Sequence, residues 1–309
     1  MNTKDLPKTL LEAIRHFSDP QVCHDFMVAM RWPNGEVACP RCGCNKVGFI
    51  KTRRTWQCKG CKKQFSVKLG TIFEDSPLGM DKWLPSVWLI ANCKNGVSSH
   101  ELGRALGVTQ KSAWFMLHRI RLAMQTGSFD KFLKGEVEVD ETFIGGKARN
   151  MHPGKRKAKG SGIVGKAVVM GLLERKGEVR AQVMPNTKRS SLMPVVQANV
   201  YRGAEVFTDA LKSYVGLSDE YAHQVIDHAQ CYVNGRIHTN GMENFWSLLK
   251  RGIKGTYVSV QPFHLFRYLD EQTFRFNKRS GNDCSRFLEA MLGIVGKRVT
   301  YKDLIAAEA

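Results

Sequence analysis

Gly135-Glu136-Val137-Glu138-Val139-Asp140-Glu141-Thr142-Phe143-Ile144 alternates charged and apolar side chains up to Asp140. A period of two is the pattern of a strand with one face turned to a core. Two more acids sit in comparable settings. Asp209 closes the apolar stretch Ala204-Glu205-Val206-Phe207-Thr208, and Glu243 opens the amphipathic run Glu243-Asn244-Phe245-Trp246-Ser247-Leu248-Leu249-Lys250. Two carboxylates at strand ends and a third on a helix can converge on two divalent ions, as phosphodiester chemistry requires.

Outward from this block the chain reads as alternating elements. Residues 136–145, 164–174 and 178–184 alternate or run apolar, with Lys176-Gly177 as the turn between the last two. A helix is predicted around Ser191–Val200, then strands ending at Asp209 and over Gln224–Ile226. Helices are predicted again over Asn240–Arg251, Pro262–Asn277 and Ser285–Val295. Upstream, residues 1–35 read as helical, 36–72 as a small β unit rich in Cys, Lys, Arg and Gly, and 77–126 as helices only. The catalytic segment is placed at 135–280 and a helical tail at 281–309. The run 147–162 reads as a loop whose Lys155, Arg156, Lys157 and Lys159 could touch phosphates.

The 309 residues carry 47 Lys+Arg against 28 Asp+Glu, a net charge of +19. Such a field draws polyanions and points to nucleic acid. No secretory signal is evident at the N-terminus, and the longest apolar stretches are too short to cross a bilayer, which predicts a cytoplasmic protein. In that compartment thiols stay reduced, so nine cysteines suggest metal binding.

Cys39-Pro40-Arg41-Cys42 and Cys58-Lys59-Gly60-Cys61 form two C-x2-C knuckles separated by fifteen residues. Four thiolates at this spacing close a tetrahedral structural Zn²⁺ site with no open position for chemistry. Cys44 falls outside the set, and Cys23, Cys93, Cys231 and Cys284 read as small core residues. Arg53 and Arg54 belong to the basic face of this ribbon and are candidate DNA contacts, whereas Trp56 reads as its core.

Further on, Gly96 to Leu117 has the form of a helix-turn-helix. Ser98 and Glu101 make a capping-box pattern, Gly107-Val108 the turn, and Thr109 the start of the second helix. Val108, Ala113, Leu117 and Ile120 are the expected packed face. Thr109, Gln110, Lys111 and Ser112 are the candidate DNA-reading residues, being short or polar at the helix start.

At the acidic site, Glu141 is an alternative ligand to Asp140, although alternation turns it to the opposite face. Asp209 could instead cap a helix beginning at Ala210, and Glu243 could answer the dipole of its own helix. Lys250 lies two turns beyond Glu243 on the same helical face, placed to grip a DNA backbone; Arg251 is a further candidate contact. His238 and Asn240 are read as supporting residues that orient substrate or metal-bound water, and His228 ranks with His238. Trp246 reads as core.

The ribbon cysteines, the block Gly135–Gly146, the block Val206–Asp209 and the stretch His238–Lys250 together resemble bacterial insertion-sequence transposases of the DDE type, the ISXO2-like group with an N-terminal zinc ribbon and helix-turn-helix. The likeness spans nearly the whole chain. It implies an α/β catalytic domain with an RNase H-like mixed sheet flanked by helices, and two Mg²⁺ or Mn²⁺ ions held by Asp140, Asp209 and Glu243. It implies cleavage at terminal inverted repeats of double-stranded DNA, transfer of the freed 3′-hydroxyl to target DNA, and a homo-oligomer on paired ends at the bacterial nucleoid. Asparagine is described as the third member in this group, which makes Asn240 and Asn244 alternatives to Glu243. The rival readings are an RNase H-like nuclease without strand transfer and a non-catalytic DNA-binding regulator.

Overall fold

The computed structural model describes residues 6–125, 131–146, 165–226 and 238–305. Loop residues 147–162, His228 and Cys231 lie outside that set. The chain divides into two compact units, Met1–Gln125 with Lys278–Ala309, and Thr126–Asn277.

In the first unit, α1 (Leu10–His16) and α2 (Pro20–Arg31) begin at side-chain caps. Thr9 accepts from the Glu12 N–H and Asp19 from the Gln21 N–H, with Pro20 at the first helical position. A three-stranded antiparallel sheet follows, β1 (Val47–Ile50), β2 (Thr55–Cys58) and β3 (Gln64–Phe65). Trp56 is its core, packed on His24, Phe65 and Trp32 with ring centroids 5.3–5.6 Å apart.

Next come α3 (Met80–Asn92), α4 (Ser99–Leu106) and α5 (Gln110–Met124). The chain returns to this unit at its end with α9 (Asp283–Leu292) and α10 (Tyr301–Ile305). Phe287 of α9 meets Phe17 just past α1, Phe26 of α2 and Trp88 of α3, all distant in sequence. α9 stops at Leu292, earlier than its apolar pattern suggests, and Gly293 at its end lies against the Ala123 carbonyl with no room for a Cβ.

The second unit holds one five-stranded sheet: β4 (Glu136–Ile144), β5 (Ala167–Glu174), β6 (Val179–Met184), β7 (Glu205–Asp209) and β8 (Ala222–Ile226). Their order is β6-β5-β4-β7-β8, with β4, β5 and β6 antiparallel and β7 and β8 running parallel to β4. This is an RNase H-like mixed sheet. Val137, Val139, Met170, Leu172 and Val206 turn to one face, where α6 (Arg189–Asn199) covers them with Leu192 and Val196. Val169, Leu173 and Val179 turn to the other, under Phe245, Trp246 and Leu249 of α7 (Asn240–Gly252) and Leu269 and Phe276 of α8 (Leu265–Asn277). Burial of this double-sided core, at roughly 25 cal/mol per Å² of apolar surface, is the main stabilising contribution. Glu136, Glu138 and Asp140 share the α7 face by alternation.

Candidate active site and metal centres

Parallel pairing brings the first two acids together. Val137 lies opposite Val206 and Glu138 opposite Phe207, so the same register sets Asp140 against Asp209 on the same face. The pairing ends at Glu138, and beyond it the two strands part at their carboxyl ends, which opens room for a site. One carboxylate oxygen each from Asp140, Glu141 and Asp209 lies within 4.8 Å of the others.

Glu141 thus joins the cluster that alternation was expected to keep it from. Its side chain keeps to the α6 face, where the Tyr214 hydroxyl of that core donates to it, and one of its oxygens still comes near those of Asp140 and Asp209. No helix begins at Ala210 for Asp209 to cap, the next helical turn being Lys212–Tyr214; one Asp209 oxygen instead accepts from the Leu211 N–H at 3.1 Å.

Asp140 accepts from the Trp246 indole N–H and from the Glu141 N–H, both at 2.9 Å. Burial nevertheless lifts its pKa to about 6, with the charges of Asp209 and Glu243 pushing the same way. Burial, then Asp209 and Asp140, raises Glu141 to about 8. Three carboxylates crowded together are an arrangement a divalent ion would relieve. Oxygen donors are also the set that Mg²⁺ or Mn²⁺ favours.

α7 reaches this cluster because two glycines let it lie close on the sheet. Gly171, opposite Asp140 on β5, carries the Trp246 ring where a Cβ would stand within 2.7 Å of it. A Cβ on Gly241 would run into Leu173 and the Glu138 carboxylate. No side chain at Thr239 caps the helix; instead the buried Glu138 accepts from the Met242 N–H at 2.9 Å. Arg175 donates to Glu138 at 2.9 Å, to Glu136 at 3.0 Å and to the His238 carbonyl at 2.8 Å. This clamp ties the helix start to the strand that bears Asp140. His238, 3.4 Å from Glu138, belongs to the clamp and not to the acid cluster.

At 100° per residue, Glu243 and Lys250 stand about 20° apart around α7 and within about 60° of Trp246, the residue bonded to Asp140. Asn244 is about 160° from Trp246 and exposed, and Asn240 is exposed at the helix start. Glu243 lies outside the tight cluster but close enough for its charge to act on Asp140. Burial lowers the Lys250 pKa, opposed by Asp140 and aided by the positive charges of Lys254 and Lys166. A cationic group therefore adjoins the acids.

The second centre is the ribbon. Cys39, Cys42, Cys58 and Cys61 each place a sulfur within 4.8 Å of the others. The Cys39–Cys61 and Cys42–Cys58 sulfurs are 3.7 and 3.6 Å apart, close to the edge of about 3.8 Å that a tetrahedron with Zn–S of 2.3 Å requires. Each knuckle is closed by a left-handed residue after its second cysteine, Gly43 (φ 72°) and Lys62 (φ 58°). The Cys61 backbone N–H pulls the Cys58 thiol down to about 6, toward the thiolate a metal needs. The Cys44 thiol lies outside the four-sulfur set and donates to the Lys46 carbonyl, while its own carbonyl accepts from the Cys39 N–H. Arg53 and Arg54 are exposed at the tip of this sheet, with Arg54 donating to Gln21.

The α4–α5 hairpin forms as its caps dictate. Ser98 and Glu101 make both bonds of the capping box, Gly107 ends α4 in the left-handed conformation, and Thr109 accepts from the Ser112 N–H to start α5. Ala113, Leu117 and Ile120 are buried, while Val108 is only half-buried at the turn. Gln110 and Lys111 are exposed and Ser112 is half-buried. Gln110 bonds Ser99 at 2.8 Å, and the Lys111 ammonium sits 4.6 Å over the Tyr301 ring.

A family model described as the ISXO2-like transposase domain matches residues 132–277, and one described as a transposase zinc-ribbon domain matches residues 18–64. An uncharacterized transposase-like protein of Haemophilus influenzae is 31% identical over 103 residues, covering 33% of this chain and 83% of the relative. An uncharacterized protein in transposable element ISH50 of Halobacterium salinarum is 26% identical over 254 residues, 77% of this chain and 84% of the relative. Among solved structures, the Mos1 strand transfer complex covers 63% of this chain and 76% of its own at 12% identity. Its TM-score of 0.22 is too low to carry a structural argument. With its acids gathered on an RNase H-like sheet and its cysteines on a ribbon, the chain belongs to the family of ISXO2-like DDE transposases.

Proposed function

We propose that this protein binds the terminal inverted repeats of an insertion sequence, cuts the DNA there and joins the freed end to target DNA. The observation that carries the reading is the cluster of Asp140, Glu141 and Asp209 where β4 and β7 part, within the residues that match the transposase domain. Asp140 and Asp209 are the central ligands, Glu243 the third from α7, and Glu141 a further donor. When bound, two Mg²⁺ or Mn²⁺ ions at these oxygens supply positive charge to the attacking and leaving oxygens.

In the first step a water oxygen bonds to the scissile phosphorus and the bond from phosphorus to the 3′-oxygen breaks. The water loses a proton to solvent and the leaving oxygen gains one, giving a 3′-hydroxyl and a 5′-phosphate. In the second, that 3′-oxygen bonds to a target phosphorus and the target's own 3′-oxygen leaves with a proton. Asp140, held by Trp246, fixes the ligand geometry, and Lys250 with Lys166 and Lys254 binds the phosphates that flank the reacting one.

The ribbon, stapled by one structural Zn²⁺ on its four cysteines, and the α4–α5 hairpin hold the DNA. Arg53, Arg54 and Arg251 contact phosphates, and Thr109, Gln110, Lys111 and Ser112 approach the major groove. Two or more copies on paired ends would act together, at the nucleoid in the bacterial cytoplasm. The test is incubation with duplexes bearing the repeats that flank the gene, a target plasmid and Mg²⁺. Wild type yields nicked ends and joined products, and Asp209→Ala yields neither while still shifting the duplex on a gel. Equal products from both proteins would overturn the reading.

A further inference from the structure

α7 does not end in an ordinary cap. It runs into a π-helical turn, Ile253–Tyr257, and then into Val258 at φ 61°, ψ −54°. The Ser259 N–H donates to the Tyr257 carbonyl at 2.6 Å, closing a γ-turn around the valine. With positive φ this turn is the rare, strained form, and a β-branched residue is among the least suited to its centre. Val258 is nonetheless 77% exposed, the most of any large apolar side chain described. Among the described residues, none that it packs against explains the choice of valine over glycine.

The turn is also held firmly from behind. The Tyr257 hydroxyl donates to Glu271, a fully buried residue of α8 that also takes a bond from Arg275. The Tyr257 ring stands edge-on to Tyr268 at 4.7 Å. The surface leading to it is basic: Arg251 and Lys254 flank the helix end, and Lys254 bears on Lys250 beside Asp140. A strained residue, kept by the structure around it and presenting bare apolar surface beside phosphate-binding charges, is the signature of a functional contact. An apolar wedge pressed into a base step is the DNA contact that needs such a residue.

We propose that Val258 is a wedge that enters the duplex at the base step bordering the scissile phosphate and unstacks it. This rests on the reading of the chain as a DNA-cutting transposase. Unstacking there loosens the end so that the scissile strand can bend toward Asp140 and Asp209. Val258 touches bases and no reacting atom, so it is a positioning residue.

The experiment uses full-length protein and inverted-repeat duplexes with 2-aminopurine at that step, read by fluorescence without divalent metal and again in Mg²⁺. Wild type raises the fluorescence. Val258→Gly lowers the rise at least about threefold and cleavage about tenfold, yet its melting temperature holds or climbs by about 2–4 °C as the strained turn relaxes. Val258→Leu, apolar but unbranched at Cβ, keeps the wild-type fluorescence. A Val258→Gly protein with wild-type fluorescence and cleavage would overturn the wedge and leave the transposase reading intact. A wild type that unstacks the probe but never cuts would do the reverse.

Discussion

The two candidate metal centres are built in opposite ways. The ribbon takes four soft sulfurs from two short knuckles, each shaped by its own turn, and gathers them within 4.8 Å of one another. The acid cluster takes hard oxygens from the neighbours Asp140 and Glu141 on one strand and from Asp209, about seventy residues on, brought together by the pairing of β4 with β7, with α7 laid beside them. The first is a site that makes its fold; the second is a site that its fold makes. Removing a ligand should therefore cost structure at one and chemistry at the other.

The largest effect should follow Cys58→Ser. Structural zinc contributes on the order of 10 kcal/mol to folding of small ribbons, so zinc should be lost and the ribbon should unfold. Metal analysis and proteolysis of residues 36–72 would show it, and the RNase H-like unit should keep its own melting transition. Asp140→Asn should do the opposite, lowering cleavage at least about a thousandfold, some 4 kcal/mol in the barrier, while the melting temperature holds. A folded, zinc-free Cys58→Ser protein or a cleaving Asp140→Asn protein would break the contrast.

Arg175→Ala comes next. It strands the buried Glu138 and frees the start of α7, so a loss of about 3–5 kcal/mol is expected by denaturant titration. Cleavage should fall in the fraction that stays folded. Gly171→Ala would push Trp246 off the sheet, costing about 1–3 kcal/mol and breaking the indole bond to Asp140. Near-ultraviolet circular dichroism of the tryptophan would report the displacement.

Much of this was legible in the sequence for physical reasons that differ by region. The knuckles, the capping box at Ser98 and the strand alternation before Asp140 are local patterns, and local geometry follows from them. Glu141 keeps the face that alternation assigns to it, beside Tyr214, yet one of its oxygens reaches those of Asp140 and Asp209 where the strands part, a proximity that alternation alone does not show. The roles of Gly171 and Gly241 lie in what they permit α7 to approach, which no spacing along the chain reveals. Glu138 carries no signal in the alternating run, yet it caps a helix more than a hundred residues away in sequence. Phe287 joins the first unit by contacts with equally distant helices.

The smallest predicted effect concerns protons. Asp140 at about 6 and Glu141 at about 8 bind protons more tightly folded than unfolded. Their contribution to stability is present below about pH 4 and is lost as pH rises through 6 and then 8. A divalent ion replaces those protons, so the rise in melting temperature on adding Mn²⁺ should be slight at pH 5 and grow to a few degrees between pH 6 and 8. Melting curves across that range would check it, and the same shift at every pH would contradict it.

The most direct test is a Mn²⁺ titration, followed by the loss of free-ion electron paramagnetic resonance signal, on zinc-loaded wild type, Asp140→Asn and Asp209→Asn. The account predicts that wild type binds Mn²⁺, that either substitution weakens binding at least about tenfold, and that all three proteins retain one zinc. Mn²⁺ binding unchanged by both substitutions would contradict it.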